Sequence, residues 1–421
     1  MTTEAATETR VIQLDDYVPI VGAQELDALR ALAKKLSGRT VQMINSTAVG
    51  GGVAEILHRL IPLIQELGLS PRWDIVTGGE DFFAITKAFH NALHGGPYES
   101  RPQDFETFLD YTEQNRQRLQ FDAEFTVIHD PQPVALIGAR PEGPNHWIWR
   151  CHIDLSRPNP HVWNFLRPFV CRFDSALFSS PDFARHLPIP QYLFFPCIDP
   201  LSEKNRELPS ETVSATLERF GIDARRPILT QISRFDRLKD PVGVVRAYQI
   251  VKRYVDCQLV LAGGGASDDP EGESVLAEVR TAAANDPDVH VLNLPPWSAL
   301  DINALQRGST VIIQKSLREG FGLTVTEGLW KKKPVVASAV GGIPAQVIHK
   351  HTGLLAHSIE GTAYQLRFLL SHPSLAQKLG EQGHEHVREH FLMTSNVRRY
   401  LTLFLNSLGC QTGESGGGRG V

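Results

Sequence analysis

At 421 residues the chain exceeds a single core of ordinary size, so two domains are the default expectation. With 42% hydrophobic and 21% charged residues it has an ordinary globular composition, and a net charge of −5 excludes a general attraction to nucleic acid or to an anionic membrane. The opening MTTEAATETR lacks an apolar signal region, no run approaches the roughly 20 apolar residues that span a bilayer, and the five cysteines (Cys151, Cys171, Cys197, Cys257, Cys410) lack CxxC spacing. The expectation is a cytoplasmic protein with small-molecule partners and buried thiols, without a disulfide framework or a zinc site.

Residues 1–20 read as a disordered tail. Short apolar runs then alternate with amphipathic segments, the pattern of βα units around parallel sheets. In a first domain, 21–196, strands are expected at 41–45, 74–76, 125–129, 148–152 and 176–178. The first of these runs into STAVGGGVAEILHRL, where Gly50-Gly51-Gly52 introduces a helix. Glu55 stands where GxGxxG needs its third glycine, so no dinucleotide fingerprint is supported; the loop is either adjacent to a phosphate or sugar, or simply a tight turn. His90 and His94 have i, i+4 spacing but no third metal ligand, and read as surface or packing residues. Residues 197–209, within FFPCIDPLSEKNRELPSE, read as a linker. A second domain, 210–410, restarts with strands in ILTQIS, CQLVLAGG, VHVLNL, TVIIQK and PVVASA, and its final helices have the option of returning to the first. Asp286-Pro-Asp288 has DxD form but falls between a helix and a strand, where it reads as a turn. Residues 411–421, with GESGGGRG, read as a flexible tail. Two doubly wound sheets leave one cleft at the carboxyl ends of their strands, so the site is expected between the domains.

REGFGLTVTE joins the strand TVIIQK to a helix. Gly320 and Gly322 permit close backbone approach and leave amides pointing outward as an anion site. Glu327, about one turn into the helix, can accept a pair of hydrogen bonds from vicinal hydroxyls. SRFDRLKD sets Arg234 and Lys239 at the carboxyl end of the second sheet's first strand, so both can face the same crevice and hold a diphosphate. Glu319 alone is equally explained as a carboxylate answering a helix N-terminus.

Arg234 and Lys239 with Glu319 and Glu327 at E-x7-E spacing resemble the retaining GT-B glycosyltransferases of family 4. NSTAVGGGVAEILH, TKAFHNALHG, HDPQP, WRCHIDLS, PCIDPLSEKN, DDPEG and REGFGLTVTEGLWKKKPVV look like the trehalose glycosyltransferring synthases, over about 41–404. The resemblance implies an α/β GT-B fold of two facing Rossmann-like domains. It also implies transfer of glucose from a nucleoside diphosphate glucose to C1 of free glucose, giving α,α-trehalose with retention, in either direction. In that reading Glu327 binds the ribose, Glu319 binds donor-sugar hydroxyls, and Arg234 and Lys239 neutralise the diphosphate. The amides of Gly320, Phe321, Gly322, Leu323 and Gly52 assist, and the loop around Asn303 and Leu305 lines the base. LAGGGASDD departs from the family's usual strand ending, which leaves the choice of UDP or ADP open. His152 is expected close to the reacting centre, and Asn45, Asp130, Gln132 and Arg150 on the acceptor side. No cofactor or divalent metal is strictly required, since cations and amides stabilise the leaving phosphate. The expected partners are nucleotide-glucose, glucose and trehalose, with a homodimer left open. The rival readings are a trehalose phosphorylase, a sugar-nucleotide epimerase and a noncatalytic carbohydrate-binding module.

Overall fold

Phe125–His129 and His146–Arg150 are buried along their whole length, as parallel strands covered on both faces must be. The computed structural model describes residues 12–49, 51–99, 101–264 and 270–414. It contains two six-stranded sheets in which every described pairing is parallel. The first comprises β1 (Thr40–Asn45), β2 (Ser70–Ile75), β3 (Phe125–His129), β4 (His146–Arg150), β5 (Ser175–Phe178) and β6 (Gln191–Leu193), in the spatial order 2-1-3-4-5-6. The second comprises β7 (Ile228–Ile232), β8 (Gln258–Gly263), β9 (Val289–Asn293), β10 (Val311–Gln314), β11 (Val335–Ser338) and β12 (Leu354–Ala356), in the order 12-11-10-7-8-9.

Alternation along each strand feeds cores on both sheet faces. Val41 and Met43 of β1 join one core of the first half with Ile148 of β4, while Ile44, Trp147 and Trp149 join the other. Met393–Glu414, the last helix, returns to the first half. There Val397, Tyr400, Leu401 and Phe404 complete its core, and the Phe404 ring lies 4.5 Å from that of Phe125. The chain therefore passes between the halves twice. The two passages are tied together, with Ile198 N–H donating to Phe391 O at 2.9 Å and Met393 N–H to Ile198 O at 3.0 Å.

Several expectations change. Residues 12–20 are not a free tail: Leu14–Tyr17 forms a 3₁₀ turn and Val18–Val21 a helical turn. Leu14 and Tyr17 are fully buried, and the Tyr17 hydroxyl donates to Asp199 Oδ1 at 2.8 Å. Residues 411–414 continue the last helix instead of starting a flexible tail. Residues 1–11 and 415–421 of the two expected tails lie outside the described residues, as do Gly50 and the 265–269 part of LAGGGASDD and DDPEG. β6 and β12 are three-residue strands at sheet edges, too short to announce themselves by periodicity.

Candidate active site

β10 ends at Gln314 and the chain turns through 315–322 before the helix Leu323–Trp330, whose N-cap Gly322 has φ 85°, a left-handed conformation that favours glycine. The turn holds Glu319 nearly buried. Its Oε2 accepts from Lys239 Nζ at 2.7 Å, Ser316 Oγ at 3.0 Å and Gln314 Nε2 at 3.3 Å. The next residue, Asp240, accepts from Gly243 N–H to cap the helix Pro241–Lys252 and also pairs with buried Lys315. Arg234 is the open member of the set, with 62% of its side chain exposed and Asp236 3.3 Å away. Lys239, Glu319, Arg234 and the glycine turn thus lie at the carboxyl ends of β7 and β10.

Glu327 lies inside the helix and is 2% exposed. Its Oε2 accepts from Gln306 Nε2 at 3.1 Å, and Lys204 Nζ stands 3.7 Å from Oε1. Lys204 also bonds Glu55 Oε1 of the helix Gly52–Glu66 at 2.5 Å. Behind Glu327, Lys331 is buried with Asn205 Oδ1 3.0 Å from its Nζ, and desolvation draws its pKa down to about 7. A cavity of about 230 Å³ opens between the halves here, lined among others by Glu55, Arg59, Asp199, Asn205, Leu323 and Glu327.

The first half meets this turn closely. A Cβ on Gly320 would lie 2.3 Å from His152 O, and one on Gly52 would lie 3.0 Å from Leu323 Cδ1, so the two glycine-bearing turns face each other across the seam. Arg318 adds a cross-seam bond to Ser156 Oγ at 3.2 Å, with Asp154 Oδ2 3.6 Å away. Asp130 follows β3 in the left-handed region, φ 65°, and its Oδ1 accepts from His152 N–H at 2.7 Å. The imidazoles of His129 and His152 share a bond of 3.1 Å between Nδ1 and Nε2. Burial holds both rings neutral, that of His129 down at about 3 and that of His152 well below its ordinary value, and pushes Asp130 up to about 7. Among the described residues, Gln132 Oε1 is buried there with no hydrogen-bond partner.

Four assignments need correction. Asn303 and Leu305 sit on the helix Ala299–Gly308 and not on a loop. Asn303 is wholly buried, donating from Nδ2 to Glu203 O and Arg206 O at 2.8 Å each, while Leu305 packs among Leu217, Ile228 and Val260. Neither faces an opening where a base could lie. Arg150 is buried under the Phe194 ring, 5.1 Å from its centroid, so its charge stands behind Asp130 instead of on the cleft wall. Asn45 spends both ends of its amide on Thr47 O and Trp73 Nε1, shaping the loop after β1.

Sequence reasoning passed over two features. His90 and His94 are not outer-surface residues: their rings lie 4.7 Å apart, desolvation draws them to about 3 and about 4, and Lys239 acts on both, with Arg234 on His90 and Arg318 on His94. They border the cationic end of the cleft. Lys204 was hidden in a polar linker, with SEKN as its only signal. Asp288 of the DxD-like triplet is held by Arg226 and Lys252 at the amino end of β9, away from the cleft. Among the described residues no three His, Cys, Asp or Glu side chains gather as a metal site.

Residues 43–185 match the family described as "Trehalose synthase, N-terminal domain", and 214–386 that described as "Glycosyl transferases group 1". The chain is 42% identical over 407 residues to a trehalose synthase of Pyrococcus horikoshii, covering 94% of this chain and 97% of the relative. It is 43% identical over 406 residues to that of Rubrobacter xylanophilus, with the same coverage. A trehalose phosphorylase of Pleurotus pulmonarius is 27% identical over 465 residues, 96% of this chain but 62% of that one. Among solved structures, the sucrose-phosphate synthase of Thermosynechococcus elongatus superposes with a TM-score of 0.70 at 17% identity, covering 88% of this chain and all of that one. The UDP-forming α,α-trehalose-phosphate synthase of Burkholderia xenovorans, solved with glucose-6-phosphate, gives 0.67 at 15% identity with the same coverage.

Proposed function

Because this chain belongs to the trehalose synthase family of GT-B glycosyltransferases, we propose that it transfers glucose from a nucleoside diphosphate glucose to C1 of free glucose, forming α,α-trehalose with retention. The observation that carries this reading is that Lys239 is held on Glu319, in the same turn whose Gly320 meets His152 O of the first half. As the bond from the donor's C1 to phosphate breaks, negative charge grows on the leaving diphosphate, and donors fixed in advance lower that barrier more than they tighten the ground state. The new bond forms from C1 to the acceptor's hydroxyl oxygen. The proton of that hydroxyl passes to the departing phosphate oxygen, so no protein base is required. His152, neutral and tied to His129, borders the reacting sugar, while Asp130 and Gln132 face the acceptor.

In this reading Glu319 and Glu327 hold hydroxyls, of the donor sugar and of ribose, and neither is a hydrolytic acid or nucleophile. Glu319 already shares its charge with Lys239 at 2.7 Å, an arrangement suited to orienting both groups on one ligand. We place the reaction in the cytoplasm and assign it no resident metal. Supplied with UDP-glucose or ADP-glucose plus glucose, the protein is expected to release nucleoside diphosphate and a nonreducing disaccharide that trehalase cleaves, with activity largely retained in a chelator. Trehalose appearing only from glucose 1-phosphate plus glucose, with no nucleotide sugar accepted, replaces this reading with the phosphorylase.

A further inference from the structure

The departure of STAVGGGVAE from a dinucleotide fingerprint has a counterpart 149 residues away. Glu55, in the third glycine's place, meets Lys204 of the linker string SEKN, and Lys204 is the same cation that faces Glu327. One ammonium thus stands between two carboxylates from opposite halves, 2.5 Å from Glu55 Oε1 and 3.7 Å from Glu327 Oε1. Lys204 is not loosely placed. Asn303 bonds Glu203 O and Arg206 O on either side of it, and Arg307 Nη2 bonds Asn205 O at 3.1 Å, stitching the segment to the second half. Glu55 is the partner contributed by the first half, from the helix Gly52–Glu66.

We propose that Lys204 is a positioning residue for the donor site, shared by Glu55 and Glu327 so that nucleotide binding and apposition of the two halves become one event. The inference rests on the assignment of Glu327 to the donor's ribose. A carboxylate this buried needs a cationic partner to remain charged at low cost, and Lys204 supplies it on the Oε1 side while Gln306 occupies Oε2. With the halves together, Glu55 holds the ammonium at a distance from Glu327, leaving Oε1 available to a vicinal hydroxyl. Without Glu55, the ammonium closes onto Glu327 and competes with the ribose.

The test is a two-residue cycle read by binding and by kinetics, using UDP and ADP as calorimetric probes on the full chain and circular dichroism to verify folding. Lys204→Met is expected to weaken nucleotide binding at least tenfold and to raise the donor KM in proportion. The glucose KM stays within twofold, and Lys204→Arg restores most of the affinity. Glu55→Gln is expected to weaken binding severalfold when Lys204 is present and to add nothing on the Lys204→Met background. A folded Lys204→Met protein that binds nucleotide like the wild type, a rise of both KM values together, or additive effects of the two substitutions overturns the proposal. Should Lys204→Met not fold, Glu55→Gln alone decides, with unchanged nucleotide affinity overturning the proposal. A wild-type chain that binds neither nucleotide overturns the donor reading itself, and this inference with it.

Discussion

Asp130 and Arg150 show how burial divides labour between neighbouring charges. Asp130 has one oxygen occupied by the His152 amide and stands in a desolvated turn, so its proton leaves only near pH 7. Arg150, behind it, stabilises the charged form less than burial disfavours it, since burial is the larger effect on Asp130. The folded value lies above the ordinary carboxylate value, so Asp130's contribution to stability is full below about pH 4 and is lost as pH rises through about 7. Its capacity to accept a hydrogen bond from glucose runs the opposite way. The glucose KM is therefore expected to fall as pH is raised from about 6 to about 8 while the donor KM stays level, and Asp130→Asn should flatten the profile. Initial rates over a glucose series at each pH decide this, and an identical pH response in the variant removes Asp130 from the acceptor side.

At the scale of elements, Gly320 is where two turns converge. A methyl group there would stand 2.3 Å from His152 O, a distance neither turn can accept without moving apart. Gly320→Ala is expected to fold with near-normal thermal stability of each half, yet to lose on the order of 10²-fold in turnover, because a displacement of an ångström or so at a reacting centre costs that much. Wild-type turnover in a crystallographically verified variant would mean that the halves react in a more open arrangement. The same contact shows what was legible in the chain. The REGFG turn could be read because glycine, a flanking strand and a helix lie within a dozen residues, and β1, β3, β7 and β10 because strands covered on both faces are rich in Val, Ile, Leu and Met. Lys204, His90 and His94 could not be read, since their surroundings are assembled from both halves. Asn303 and Leu305 were misplaced for a related reason: which face of a helix is covered depends on partners far away in the sequence, here the 203–206 segment and the Leu217 cluster.

Over the whole molecule, the first half is not a contiguous length of chain, while the second is. The last helix supplies Val397, Tyr400, Leu401 and Phe404 to a core that otherwise belongs to the first 200 residues, and Tyr17 reaches forward to Asp199 at the first passage between the halves. Removing residues 393–421 deletes none of the proposed substrate contacts, yet is expected to abolish activity and to expose apolar surface around Phe125 and Phe194. Dye binding and sedimentation of the truncated chain would check this, and a monomeric, active truncation would contradict it. The arrangement also sets a timetable for synthesis. A ribosome releases the strands of the first sheet roughly two hundred residues before the helix that covers them, an interval on the order of tens of seconds. During that time the nascent first half carries an open apolar face, while the second half is free to close as soon as its own strands emerge. The half that begins the chain is thus the one that finishes last.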